Sequence, residues 1–192
     1  MEKQSSLKEQ LRNSISCTVN CGNSDGDTQY PKKHSNKPPQ RSSPMKIYFA
    51  GPLFSAAEKS FNLQFSESLQ QENPDFQMIL PQLEAEKIIS QPDFLSRMYQ
   101  FCLQSIKDCD AVLAILEGAD ADSGTCIEMG YAFGIGKPII GVRTDFRSSE
   151  DRGLNLMVSN ICAKLFWEPG LAYNDLVRSV AEELINLVKG NC

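Results

Sequence analysis

From Met45 onward the chain alternates between two patterns of hydrophobic and polar positions. Short apolar runs bounded by Gly, Pro or polar residues predict strands, at residues 47–50, 76–80, 110–116, 137–142 and 163–167. Apolar positions at helical spacing predict helices between these runs, at residues 55–73, 92–107, 124–136 and 173–189. The remaining stretch, residues 143–160, reads as a polar loop with a turn of helix at residues 154–158.

Strands that take turns with helices indicate an α/β fold built on a parallel sheet. The run at residues 110–116 is almost continuously apolar, as expected for a central strand covered on both faces. We therefore expect a flavodoxin-like, doubly wound sheet of five parallel strands in the order 2-1-3-4-5. Ligands of such sheets bind beyond the carboxyl ends of the strands, which here lead into the loops after Ala50, Leu116 and Val142.

Residues 1–44 have a different composition, rich in Ser, Asn, Gln, Lys and Pro and poor in large apolar side chains. Such a segment cannot bury enough surface to offset chain entropy, so we expect a disordered N-terminal tail followed by a folded domain over residues 45–192. The tail lacks the apolar run of a secretory signal, and no stretch reaches membrane-spanning length. Seven cysteines without a Cys-x-x-Cys pair fit reduced thiols. We expect a cytoplasmic protein with no membrane partner.

Charge and histidine content narrow the function classes. Residues 1–44 carry 7 Lys and Arg against 4 Asp and Glu, whereas the remainder carries 12 against 20. An acidic folded domain is a poor candidate for nucleic-acid binding, so no nucleic-acid partner is expected. The one histidine, His34, lies in the tail, which leaves the folded part without an imidazole for a catalytic triad or a metal site. We expect no metal and no cofactor, and carboxylates as the reactive groups.

Glu128 is the leading candidate for a reactive carboxylate. It lies about one turn inside the helix that follows the central strand, where its neighbours at helical spacing are small or apolar. The helix N-terminus favours the ionised form and the apolar surroundings oppose it by desolvation, a combination that makes a good nucleophile. The alternative is a structural role in a capping box, which would require Thr125 as the N-cap rather than Asp122 or Ser123.

Other residues near the expected cleft each have a structural and a functional interpretation. Tyr48 is a core residue by default, but its hydroxyl needs a partner and could find Glu128. Asp122 is explained by an N-cap role, which a substrate contact does not exclude. Gly51 and Pro52 form a simple turn or let a ligand approach the backbone.

The sequence leaves more than one role open for each of two charged clusters. Arg143, Asp145 and Arg147 are substrate contacts or a surface ion-pair set, and position alone does not decide between them. A divalent ion among Glu117, Asp120 and Asp122 is disfavoured, because the spacing fixes no coordination geometry.

Several of these segments together resemble one enzyme family. Similarity to the nucleoside 2-deoxyribosyltransferases covers about residues 45–188 and is carried, in family order, by residues 47–54, 108–118, 122–132, 136–138 and 154–157. The most specific element is Asp122-x5-Glu128-x-Gly130-x-Ala132. Residues 1–44 have no counterpart in the family.

The resemblance implies a reaction and a role for each matching residue. Glu128 would attack C1′ of a 2′-deoxynucleoside and form a deoxyribosyl ester, which a second nucleobase, or water, then resolves with net retention. Tyr48 would orient the nucleophile, and Asp122 would contact the substrate near the sugar 5′-hydroxyl. The implied partners are 2′-deoxynucleosides and free nucleobases, and the implied substrate-binding set is Gly51, Pro52, Phe54, Cys102, Gly124, Asn155 and Met157.

The resemblance also implies a homo-oligomer with shared active sites, because the residues that match Asn155 and Met157 enter the neighbouring subunit's site. One position departs from the family. Cys102 stands where many members have an Asp or Asn that helps to protonate the departing base, and a thiol is a weak donor.

Two rival functions follow from these features. A 2′-deoxynucleoside 5′-monophosphate N-glycosidase would use Arg143 and Arg147 for the phosphate, although Asp122 and the apolar loop at residues 51–54 favour a nucleoside. A catalytically silent nucleoside-binding module is the second rival, and Cys102 is its main support.

Overall fold

The computed structural model describes residues 43–147 and 154–190, and it has the expected flavodoxin-like α/β architecture. One parallel sheet has the strand order β2-β1-β3-β4-β5, which confirms the predicted order. The strands are β1 (Met45–Ala50), β2 (Phe76–Ile79), β3 (Ala111–Ile115), β4 (Ile139–Arg143) and β5 (Lys164–Trp167). The helices are α1 (Ala56–Glu72), α2 (Pro81–Ile88), α3 (Phe94–Asp108), α4 (Ser123–Gly134), α5 (Leu156–Asn160) and α6 (Tyr173–Gly190).

Helix α2 was not expected from the sequence. Pro81 ends the apolar run of β2, as expected, but it is also the first residue of an eight-residue helix whose N-cap is Leu80. Proline suits the first helical position, because its fixed φ fits the helix and its missing N–H would have no partner there. The helix buries Pro81, Gln82 and Ile88.

Two hydrophobic cores lie on the two faces of the sheet, and β1 contributes to both in alternation. Ile47 and Phe49 belong to the core that contains residues of α1 and α6. Tyr48 and Ala50 belong to the core that contains residues of α3, α4 and α5. The period of two along a strand therefore places Tyr48 on the side of the sheet where α4 packs.

The carboxyl ends of β1 and β3 meet at the edge of the sheet where a ligand is expected. The two strands are parallel neighbours, with Ala50 opposite Ala114. Just beyond them, a Cβ added at Gly51 would lie 3.2 Å from Cβ of Ile115, tighter than ordinary van der Waals contact. Glycine at this position lets the loop after β1 lie against the end of β3.

Among the residues that the structure describes, every helix is too short or too polar to cross a bilayer. The predicted disordered tail over residues 1–44 falls almost wholly outside the described residues.

A shortened chain that begins at Met45 is expected to fold and to keep its activity. The shortened chain keeps every core residue that the structure describes, since these lie between Met45 and Val188. Thermal melting of the shortened and the full chain, together with their turnover, checks this expectation. Loss of the cooperative transition on removal of residues 1–44 would contradict it.

Candidate active site

A hydrogen bond between two residues distant in sequence lies at the centre of the candidate site. The hydroxyl of Tyr48 donates to Oε1 of Glu128 at 2.7 Å. Tyr48 is completely buried, and Glu128 is half-buried. A short O–H···O⁻ bond to an ionised acceptor is stronger than a neutral hydrogen bond and fixes the orientation of the carboxylate. The carboxylate among small and apolar neighbours thus has a specific partner.

The start of α4 shows that Glu128 does not cap its own helix. Asp122 is the N-cap, and its Oδ2 accepts from the backbone N–H of Thr125 at 2.9 Å and from the Thr125 hydroxyl at 3.2 Å. Thr125 therefore occupies the N3 position, and Glu128 lies beyond the reach of a capping box. In α1, by contrast, Ser55 and Glu58 form a complete capping box.

Three groups and burial set the protonation of Glu128. Burial raises the pKa of Glu128 above its usual range because desolvation disfavours the charged form. Hydrogen bonds from Tyr48 and Cys102 oppose this shift, and the nearby charge of Asp122 adds to it. The net result is a carboxylate that is poorly solvated but held by the Tyr48 hydroxyl, which suits a nucleophile.

Cys102, on α3, contributes a neutral thiol to the same cluster. Its side chain is half-buried and interacts with both Tyr48 and Glu128. Burial raises the pKa of the Cys102 thiol to about 11, so the group stays protonated at neutral pH. The position at which the family pattern suggested an acid therefore carries a hydrogen-bond donor that does not ionise in the physiological range.

Two buried amides, which the sequence analysis missed, brace the loop after β1. Asn62 donates from Nδ2 to the carbonyl of Pro52 at 2.8 Å and to Oε1 of Gln82 at 3.3 Å. The Gln82 amide donates in turn to the carbonyl of Lys59 at 3.1 Å. A polar residue on the inward face of α1 was the signal for this bracing. The hydrogen bond from Asn62 fixes the backbone of the loop at Pro52. Phe54, at the end of the loop, is 75% exposed.

The remaining candidate substrate residues lie at two helix starts. Gly124 is exposed in the first turn of α4, where an added Cβ would lie 3.0 Å from Oδ2 of Asp122. Asn155 is the N-cap of α5 and accepts from the backbone N–H of Met157 at 2.9 Å. The Met157 side chain is 66% exposed. The hydrogen bonds shown for Asn155 and Met157 stay within α5 and do not bring these residues to Glu128.

Both readings of Arg143 were wrong. The side chain is 1% exposed, and its guanidinium donates to the main-chain carbonyl of Leu116 at 2.6 Å and to that of Gly118 at 2.9 Å. Arg143 is therefore neither a substrate contact nor a surface charge. Asp145 and Arg147 do form the alternative that the sequence offered, an ion pair whose arginine is largely exposed.

Among the described residues, no cluster of three or more His, Cys, Asp or Glu side chains is arranged to hold a metal ion. Glu117, one of the three carboxylates considered for such a site, instead accepts hydrogen bonds from Thr144 and Asp145.

Fold and site together define a flavodoxin-like α/β protein with a half-buried carboxylate at the carboxyl edge of its sheet. The family model for nucleoside 2-deoxyribosyltransferase matches residues 47–157, more than half of the chain, and this range includes Tyr48, Cys102 and Glu128. The chain belongs to the nucleoside 2-deoxyribosyltransferase family, whose members are enzymes that act on N-glycosidic bonds.

Two solved structures support the same fold at low sequence identity, and a third is similar at a lower TM-score. A conserved protein from Enterococcus faecalis is 22% identical with a TM-score of 0.57, and the match covers 78% of this chain and 100% of that chain. A 2-deoxyribosyltransferase from Bacillus psychrosaccharolyticus is 19% identical with a TM-score of 0.55, covering 69% and 90%. A CMP N-glycosidase from Clostridium botulinum is 17% identical with a TM-score of 0.46, covering 70% and 97%. A search of curated protein sequences gave no match.

Proposed function

We propose that this protein is a nucleoside 2-deoxyribosyltransferase that cleaves the N-glycosidic bond of 2′-deoxynucleosides through a covalent deoxyribosyl ester on Glu128. The observation that carries the proposal is the 2.7 Å hydrogen bond from Tyr48 to Glu128. It joins a completely buried tyrosine of β1 to a half-buried carboxylate of α4, at the edge of the sheet where ligands of this fold class bind. Membership of the family supports the same reaction, and the 2-deoxyribosyltransferase from Bacillus psychrosaccharolyticus shares the fold.

In the first step of the proposed reaction, a carboxylate oxygen of Glu128 forms a bond to C1′ while the bond from C1′ to the base nitrogen breaks. The departing base keeps the bonding electrons and takes up a proton. Positive charge develops on the sugar ring, and the anion of Glu128 beside it stabilises the transition state. Tyr48 holds Oε1 of Glu128, which keeps the carboxylate in one orientation as its charge is consumed.

In the second step, a nitrogen of an incoming nucleobase attacks C1′, gives up its proton to solvent and releases Glu128 as a carboxylate. Two displacements at the same carbon give net retention of configuration. Water in place of the base gives hydrolysis to free deoxyribose. The same site therefore supports transfer and hydrolysis, and the supply of acceptor base decides the ratio.

The proton for the departing base must come from a group other than a carboxylic acid on α3. Cys102, at that place, has a pKa of about 11, so it is a weaker acid than the carboxyl group it replaces. Solvent remains as a donor, and a base that leaves readily depends least on this step. We therefore expect slower turnover than in a family member that has an acid at this position.

A nucleoside rather than a nucleotide is the proposed substrate. The buried Arg143 is committed to main-chain carbonyls, and a phosphate dianion would have to compete with Asp145 for the exposed Arg147. The carboxylate of Asp122 near Glu128 would also repel a phosphate. The features that kept the nucleotide hydrolase as a rival are therefore weakened.

A homo-oligomer with shared sites is part of the proposal. On α5, Leu156 is 55% exposed and Met157 is 66% exposed, and Ile127 on α4 is 72% exposed. In the proposed oligomer, these exposed apolar side chains would be covered by a second subunit. We expect sedimentation to show an oligomer, and we expect Met157→Asp to dissociate it with a large loss of turnover. A fully active monomer would contradict this expectation.

The pH–rate profile should show an acid limb set by Glu128. The carboxylate attacks only when ionised, and burial raises its pKa. As the pH is lowered, kcat/KM should therefore begin to fall at a pH above about 4.3, the ordinary pKa of glutamate. Burial raises the pKa of Tyr48 far above neutrality and that of Cys102 to about 11, so neither group should produce a basic limb near neutral pH. A profile that stays flat down to about pH 4 would contradict the assignment.

The decisive experiment for the reaction is incubation of the protein with a panel of 2′-deoxynucleosides, each with and without a different free base, read by chromatography. A new deoxynucleoside in the presence of acceptor base supports transfer. Free base without a new nucleoside indicates hydrolysis. The same panel of 5′-monophosphates tests the nucleotide hydrolase, and binding without any product would favour a silent binding module.

A further inference from the structure

The loops after β3 and β4 are tied together by two side chains that reach in opposite directions. Arg143, the last residue of β4, sends its guanidinium to the carbonyls of Leu116 and Gly118 at 2.6 and 2.9 Å. The same side chain also reaches the carbonyl of Arg147 at 3.4 Å. One arginine therefore fixes three carbonyls from two loops.

Glu117 completes the arrangement from the other side. Its Oε1 accepts from the backbone N–H of Thr144 at 2.6 Å and from the Thr144 hydroxyl at 2.8 Å. Its Oε2 accepts from the backbone N–H of Asp145 at 2.9 Å. The side chain after β3 thus holds the backbone after β4, while the side chain at the end of β4 holds the backbone after β3. We call this pair, Glu117 and Arg143, the loop clasp.

The Arg143 half of the clasp is the costlier one to disturb. Arg143 is 1% exposed, so each of its carbonyl partners would lose a charge-assisted hydrogen bond that water cannot readily replace. Gly118, which carries the second anchored carbonyl, has a φ of +104°, a conformation that other residues rarely adopt. The clasp therefore holds a loop of one specific shape.

The clasped loop is short and ends at the nucleophile helix. Only three residues separate Gly118 from Asp122, the N-cap of α4. The side chain of Glu128 is carried by that helix and must lie within hydrogen-bond reach of Tyr48, which is fixed in β1. A displacement of about 1 Å between reacting groups can cost about 100-fold in rate. The position of this loop therefore determines whether Glu128 lies within hydrogen-bond distance of Tyr48.

We propose that Glu117 and Arg143 are positioning residues, which fix the loop between β3 and α4 and thereby hold the carboxylate of Glu128 against the hydroxyl of Tyr48. Neither residue touches the substrate in this role. The effect on turnover rests on the proposed function, whereas the effect on the placement of Glu128 can be measured without any substrate.

Glu117→Ala is the primary test, because removal of the buried Arg143 risks unfolding the protein. Glu117→Gln is the conservative variant, since its one carbonyl oxygen can still accept from Thr144 but cannot also serve Asp145. Glu72→Ala is the matched control, because Glu72 is a partly exposed carboxylate at the end of α1 that pairs with Arg178. All variants are made in the full chain.

Three measurements separate positioning from simple stabilisation. The first is kcat and KM for deoxyribosyl transfer. The second is the titration midpoint of Glu128 followed by carbon NMR of its carboxyl group, which reports the contacts with Tyr48, Cys102 and Asp122. The third is hydrogen exchange at the amide of Thr125, which donates to Asp122 at the start of α4.

In Glu117→Ala we expect kcat to fall by about 10-fold or more with KM changed by less than about 3-fold, because positioning acts on the reacting geometry. The Glu128 midpoint should shift and exchange at Thr125 should accelerate, Glu117→Gln should recover part of each effect, and Glu72→Ala should show none. A Glu117→Ala protein with an unchanged Glu128 midpoint and unchanged Thr125 exchange would overturn the proposal, whatever its melting temperature. If the wild-type protein transfers no sugar, the proposed function fails while the titration and the exchange still decide the role of the clasp.

Discussion

Glu128→Gln is expected to reduce turnover by several orders of magnitude while the protein stays folded. The amide keeps the size and the hydrogen-bonding ability of the side chain but removes the anion that must bond to C1′. Loss of a nucleophile lowers kcat and kcat/KM together, with substrate binding largely preserved. Steady-state kinetics with a 2′-deoxynucleoside and an acceptor base, together with a binding measurement, check this result.

The stability of the Glu128→Gln variant distinguishes a nucleophilic role of Glu128 from a structural one. Burial raises the pKa of Glu128, so the stability contributed by its neutral form is present at low pH and is lost as the pH rises through the raised pKa. At neutral pH the buried anion therefore opposes folding, and the neutral glutamine variant should melt no lower than the wild type. A helix-capping glutamate would give the reverse pattern, with a loss of about 1 kcal/mol and nearly normal turnover.

Glu72→Gln is the matched control for this substitution. Glu72 is a partly exposed carboxylate on α1 that pairs with Arg178, so its amide variant should keep normal turnover. A covalent step adds a second signature. Wild-type protein given a deoxynucleoside without acceptor base should gain the mass of one deoxyribosyl group, and Glu128→Gln should not. An adduct mapped to another residue by peptide mass spectrometry would overturn the assignment.

The strand order was predictable because the chain separates its strands clearly. All five residues of β3 are buried, and the continuous apolar run at residues 110–116 carried that information. Helix α2 was missed because its signal is weak. It has only eight residues, and Gln82, one of the three that it buries, is polar, so the apolar period is interrupted where the helix begins.

The candidate site was predictable to the extent that alternation and helix position determine it. Tyr48 and Glu128 are 80 residues apart in sequence. Side chains alternate between the two faces along β1, which places Tyr48 on the face where α4 packs, and α4 follows the carboxyl end of β3. Both side chains therefore lie on the same face and at the same edge of the sheet. Arg143 was misread for a physical reason. Its partners are main-chain carbonyls of Leu116 and Gly118, and a carbonyl acceptor has no signature in a sequence.

Tyr48→Phe is expected to lower turnover at neutral pH by about 10- to 100-fold, the equivalent of one hydrogen bond to a charged group. The hydroxyl donates to Oε1 of Glu128, and this bond lowers the pKa of a carboxyl group that burial raises. Without the hydroxyl, the Glu128 pKa should rise further, so a larger fraction of the protein carries a protonated, unreactive nucleophile at a given pH.

The pH profile shows how the loss divides between protonation and orientation. The acid limb of kcat/KM in Tyr48→Phe should move to higher pH, because the hydrogen bond that favours the ionised form of Glu128 is lost. Activity should recover in part above that limb, and the loss that persists there measures the contribution of the fixed carboxylate orientation.

Tyr173→Phe provides the control, because it removes a hydroxyl that contacts Ser68 from a side chain packed against the core on the opposite face of the sheet. Tyr173→Phe should have the same turnover as the wild type and the same acid limb in its pH profile. An unshifted acid limb in Tyr48→Phe, with turnover within about 2-fold of the wild type, would show that the hydrogen bond does not act on the nucleophile. Tyr48 would then be a packing residue of β1, and the orientation of Glu128 would have to come from α4 and the loop before it.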